Sequence, residues 1–106
     1  MSNWIEEYSY LDLKNGEIKF ICDDDQDMIE IRYDDGMLID VGYVEDDRKY
    51  YITVVKSNDE NGWQYPLEIV EVDLKEVLSA EIQKIVINQS ILYTKILFLN
   101  IFCYKI

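Results

Sequence analysis

The chain has 106 residues, of which 49% are aliphatic, aromatic or cysteine, and it carries a net charge of −12 with no histidine. That length suits a single domain over residues 1–106 with a real core, and its low proline and glycine content argues against disorder. Absence of histidine removes histidine triads and histidine metal ligands, while the acidity opposes direct nucleic-acid binding, because binders neutralise phosphates with lysine and arginine.

The charge is unevenly spread. Residues 1–47 hold 15 acids against three bases (Lys14, Lys19 and Arg32), whereas residues 48–106 hold seven of each. The first seven residues lack the basic start and apolar core of a signal peptide, so a cytoplasmic protein is expected. Cys22 and Cys103 sit inside apolar runs and read as buried free thiols rather than a disulfide scaffold.

Residues 8–13 and 17–22 flank Asn15-Gly16, a strong hairpin signal because both residues tolerate positive φ. A two-residue loop sets Leu13 opposite Ile18, Leu11 opposite Phe20 and Ser9 opposite Cys22. On the other face Lys14 then meets Glu17 and Asp12 meets Lys19. Residues 28–33 and 37–44 surround Asp34-Asp35-Gly36. A two-residue loop would oppose Ile31 to Asp40. A three-residue loop with a bulge at Gly36 opposes Ile31 to Ile39, Ile29 to Val41 and Tyr33 to Met37, which restores one apolar face.

A strand over 50–56 follows the charged turn 45–49. The polar loop 57–62 leads to Trp63 and to a strand over 67–72, where Pro66 suits an edge or strand start. The first 72 residues therefore read as an antiparallel meander of about six strands. After them Leu74, Val77, Leu78, Ile82 and Ile85 recur at helical spacing, and Asp73 with Glu76 resembles a capping box. The spacing predicts a helix over 74–86, with a break at Asn88-Gln89-Ser90.

Residues 91–106 contain no acid and are rich in Ile, Leu, Phe and Tyr. The run is short for a membrane span and holds Lys95, Asn100 and Lys105, so no membrane role is expected. It reads as a strand buried on both faces, covered by the sheet, the helix or a second subunit, which leaves a homo-oligomer open. The expected class is α+β, mostly β: an antiparallel meander sheet or sandwich of six to seven strands with one helix at 74–86.

Asp23, Asp25 and Asp27 imitate the first ligands of a calcium loop, but the sixth and twelfth positions hold Met28 and Asp34 instead of Gly and Glu. No metal and no cofactor are expected. Cys22 lies on an apolar strand face without a histidine to activate it, and no glycine-rich phosphate loop occurs, so an enzyme is disfavoured. The remaining chemistry is that of a surface. Asp23, Asp24, Asp25, Asp27, Asp34, Asp35, Glu45, Asp46 and Asp47 cluster at turns, where they repel one another and attract a basic partner over long range. Tyr10, Tyr50 and Trp63, the last followed by Tyr65, are candidate exposed aromatic anchors beside them.

A small, acidic, histidine-free, β-rich chain with aspartates at the 23–27, 34–35 and 45–47 turns resembles the immunity proteins of bacterial toxin–immunity systems, contact-dependent growth inhibition among them. The resemblance implies a cognate basic toxin domain as partner, often a nuclease, whose substrate-binding surface the immunity protein masks. Two other classes fit the same charge: a nucleic-acid mimic that occupies a basic groove of a host enzyme, and an oligomeric interaction domain joined through residues 91–106.

Overall fold

Five strands follow one another in chain order across one antiparallel sheet: β1 Glu17–Ile21, β2 Ile29–Arg32, β3 Met37–Val44, β4 Lys49–Lys56 and β5 Glu68–Val72. This is seen in a computed structural model that describes residues 6, 8–21 and 28–89. A 3-10 turn at Lys75–Val77 leads into one α-helix, α1, over residues 78–89. The class is the expected mostly β arrangement, and the described residues hold five strands where six to seven were expected over the whole chain. Asp23 to Asp27, both cysteines and the apolar run 91–106 lie outside the described residues.

Register follows loop chemistry at the β2–β3 turn. Tyr33 N–H donates to Met37 O at 2.9 Å and Gly36 N–H to Tyr33 O at 3.1 Å, with Gly36 at φ 92°. That is the three-residue loop with its bulge, and it opposes Ile31 to Ile39 and Ile29 to Val41, as the sequence leads one to expect. A slip of one residue would turn these side chains out of the core.

The first hairpin does not form as expected. β1 pairs with β2, setting Ile18 opposite Ile31, and residues 8–13 contribute a 3-10 turn at Tyr8–Tyr10 rather than a strand. The turn is where it was expected but one residue earlier in phase. Lys14 and Asn15 take φ 52° and 74°, and Gly16 N–H closes it on Leu13 O at 3.0 Å. Gly16 lies against Tyr33: a Cβ there would stand 2.5 Å from Cζ of the ring, which would have to move. The expected cross-strand charge pairs are replaced by local ones, Lys14–Asp12 at 3.0 Å and Lys19–Glu17 at 3.1 Å.

The β1–β2 register shifts between Ile18 and Phe20, so Lys19 is the extra residue of a bulge. Ile18 and Ile21, three apart on β1, thereby meet Ile31 and Ile29, two apart on β2. Without the bulge one of them would leave the core face.

One face of the sheet packs on the helix. Ile29, Ile31, Ile39, Val41, Ile52, Val54 and Val72 share a core with Leu78, Ile82, Ile85 and Val86. Withdrawing each such side chain from water contributes about 1.5–3 kcal/mol. The helix begins later than its spacing implies: Leu74 and Val77 are exposed, and Leu74 precedes the 3-10 turn with no side-chain cap, so the Asp73–Glu76 capping box is not made. On the opposite face Leu38 and Val55, paired in the β3–β4 ladder, are also buried.

Candidate protein-binding surface

Two of the acidic turns are held by hydrogen bonds. In the first, Asp35 Oδ1 accepts the Met37 N–H at 3.0 Å. The β4–β5 loop ties the turn down: Ser57 N–H and Ser57 Oγ both donate to Gly36 O, at 2.7 and 2.8 Å, and Asn58 Nδ2 donates to Asp35 O at 3.2 Å. Asp34 and Asp35 remain exposed. The half-buried Tyr33 hydroxyl is pushed up to about 12, by burial first and then by the charges of Asp35 and Asp12.

The second turn joins Val44 to its ladder partner Lys49 through Glu45, Asp46, Asp47 and Arg48. Arg48 N–H donates to Glu45 O at 3.2 Å with Arg48 at φ 55°. Asp47 Oδ2 accepts the Tyr51 hydroxyl at 2.8 Å, and that bond is the main cause that raises Tyr51 to about 12. Lys49 Nζ lies 3.2 Å from Glu71, whose hydrogen bond raises the lysine, helped by the charges of Asp73 and Asp47. Glu45, Asp46, Asp47, Glu71 and Asp73 thus gather at one end of the sheet.

The acidic turns do not form one patch. Asp34 and Asp35 precede β3 and Glu45 follows it, so the eight residues of that strand separate them, about 25 Å at roughly 3.4 Å per residue. Each turn faces solvent at its own end.

The aromatic anchors divide. Tyr10 is 87% and Trp63 56% exposed, whereas Tyr50, expected as an anchor, is buried in the core, its ring 5.0 Å from that of Tyr43. The reason lies in β4, which is apolar on both faces: Tyr50, Ile52 and Val54 alternate with Tyr51, Thr53 and Val55. The ladder puts Ile52 and Val54 beside Val41 and Ile39, which takes Tyr50 to the helix side.

Sequence reasoning missed Leu67 and Ile69, which are 55% and 58% exposed and follow the exposed Trp63 and Tyr65 in the chain. Their signal was present. In residues 67–72 apolar side chains occupy both alternating sets, Leu67 and Ile69 against Val70 and Val72. Only one set can face the helix.

Among the described residues no three cysteine, aspartate or glutamate side chains converge as metal ligands, and no helix is long and apolar enough to cross a membrane. What this surface offers is carboxylates for charge-assisted hydrogen bonds to cationic side chains, with an exposed apolar strip alongside. Comparison with known proteins found no matching family, curated protein or solved structure.

Proposed function

We propose that this chain is an immunity-type inhibitor that acts in the cytoplasm. It holds a cognate basic toxin domain, of nuclease type, and covers the surface that would receive the polyanionic substrate. The observation that carries this reading is a net charge of −12 on a small domain whose Asp34–Asp35 and Glu45–Asp47 carboxylates stand exposed on turns held by their own hydrogen bonds. Fixed, exposed charge of one sign is unfavourable in the free protein and favourable against a basic groove. It steers association, and pairs of this kind combine at up to about 10⁸–10⁹ M⁻¹s⁻¹ at low salt.

The test is replacement of acids by amides in three separate variants: Asp23, Asp24, Asp25 and Asp27 together; Asp34 with Asp35; and Asp46 with Asp47. Each is assayed against the toxin domain encoded by the neighbouring gene. At least one set is expected to slow association and flatten its dependence on salt, with thermal stability unchanged or raised by relief of self-repulsion. Parent-like binding by all three variants, or a neighbouring gene that encodes no basic toxin domain, overturns the proposal. Inhibition of a host nucleic-acid enzyme in its place would identify a mimic.

A further inference from the structure

Among the described residues β5 is the last strand of the sheet. Ile69 within it is 58% exposed and Leu67 just before it 55%, while Trp63 and Tyr65, in the turn that leads into the strand, are 56% and 69% exposed. Ile69 stands opposite Thr53 in the ladder, on the same face as Val55 and its partner Leu38. An apolar row therefore crosses the face away from the helix, buried at β3 and β4 and open to solvent at β5. Among the described residues no strand pairs with the outer edge of β5.

We infer that this edge receives an extended segment of a basic partner protein as an added strand. Edge strands are normally blunted by lysine, proline or bulges. In residues 57–73 there is no lysine or arginine at all, against five acids, Asp59, Glu60, Glu68, Glu71 and Asp73, of which Glu71 is paired with Lys49 of the neighbouring strand. Pro66 guards only the entry to the strand. The edge is thus protected from a second copy of this chain, which would bring the same five acids, and is left attractive to a strand that alternates apolar and basic side chains. Added main-chain bonds would supply affinity, and Leu67 and Ile69, two apart in the chain, would meet alternate side chains of the added strand.

The loop before β5 is already ordered for this. Gly62 N–H donates to Asp59 O at 2.9 Å, Tyr65 N–H to Asn61 O at 3.0 Å and Asn61 N–H to Asp59 Oδ1 at 3.0 Å. Gly62 is packed so closely on the Lys56 carbonyl that a Cβ would not fit. A strip held in this way loses little freedom on binding. The inference deepens the proposed inhibitor by naming its docking edge, and it rests on that reading only for the basic character of the partner.

The experiment titrates isotopically labelled protein with a short peptide alternating lysine and valine. The controls are the same design with glutamate for lysine, and the lysine peptide with alternate N-methylation, which removes the donors on its pairing side. The lysine peptide is expected to shift the amides of residues 67–72 saturably and to slow their hydrogen exchange. The glutamate peptide should leave them unmoved, and N-methylation should weaken binding by about tenfold or more, the effect of losing about 1.4 kcal/mol. Ile69→Lys and, separately, Leu67→Lys should weaken it similarly without changing the rest of the spectrum. Equal binding of the N-methylated peptide, or shifts confined to the acidic turns, overturns the added strand. Dimerisation through β5 in light scattering overturns the basic partner. A toxin domain that is held equally well by Ile69→Lys removes the strip and leaves the inhibitor standing. Peptide binding at β5 without any basic toxin partner does the reverse.

Discussion

Gln83 on α1 completes both main-chain hydrogen bonds of Asp12, 71 residues earlier: its Oε1 accepts the Asp12 N–H at 2.8 Å and its Nε2 donates to the Asp12 carbonyl at 2.9 Å. One side-chain amide thereby does for residues 11–13 what a neighbouring strand would have done. Leu11 and Leu13 still pack on the core from either side of Asp12, so the alternation that resembled a strand is used without a ladder.

Replacing Gln83 by Ala should therefore free this segment while sparing the sheet. The expected loss of unfolding free energy is about 1 kcal/mol, since the bonds are solvent-accessible. Gln83→Glu retains the acceptor and sets a carboxylate against the Asp12 carbonyl, and it should cost at least as much. Hydrogen exchange provides the local check: the Asp12 amide should lose protection in both variants while amides of β3 and β4 keep theirs. Unchanged protection at Asp12 would show that the pair carries no weight.

Gly16→Ala places a methyl group against the Tyr33 ring, and overpacking of this kind costs about 1–3 kcal/mol. If that contact is the cause, Tyr33→Ala should absorb the strain. A double-mutant cycle in urea is then expected to fall short of additivity by about 0.5 kcal/mol or more. Strict additivity would locate the strain in the turn backbone instead.

Alkaline pH should weaken the fold. Unfolded tyrosines ionise near their ordinary value of about 10, whereas Tyr33 and Tyr51 hold their protons to about 12 in the folded protein. Above the unfolded value the unfolded chain binds fewer protons than the folded one. Their contribution is thus fully present below about pH 10 and falls as pH rises toward 12. Tyrosinate absorbance should show late transitions. Tyr51→Phe should remove one, Asp47→Asn should move it earlier, and Tyr33→Phe should remove the other. Tyr33→Phe should also leave stability at neutral pH unchanged or raised, because the buried hydroxyl has no hydrogen-bond partner.

Burial separates two residues that share the helical spacing of residues 74–86. Ile82 is wholly buried and Leu74 is 60% exposed. Ile82→Ala should cost about 2–5 kcal/mol, and Leu74→Ala about 0.5 kcal/mol or less. Similar losses at both positions in denaturant melts would place the helix start back at Leu74.

What could be read from the sequence was local. The β2–β3 register followed from loop length, because only the bulged loop keeps Ile29, Ile31, Ile39 and Val41 together, and side-chain period alone enforces that choice. The exposure of Asp34, Asp35 and Glu45 to Asp47 followed from the same cause, since turn residues with short polar side chains end at the surface. The helix was legible from its period, though not its first turn.

The tertiary structure decided everything that depends on which element lies next to which. Residues 11–13 and β2 offered β1 equally good apolar partners, and the choice fell to β2 once the bulge at Lys19 and the amide of Gln83 satisfied both claims. Tyr50 and Ile69 sit on strands that are apolar on both faces. Alternation divides such a strand into two sets but cannot say which set meets the helix. The ladder says so, because Ile52 lies between Val41 and Val70, and that pairing buries Tyr50 and turns Ile69 to solvent. The separation of the two acidic turns by the length of β3 arises in the same way: residues ten apart in sequence share a cluster in composition, and an extended strand carries them to opposite ends of the sheet.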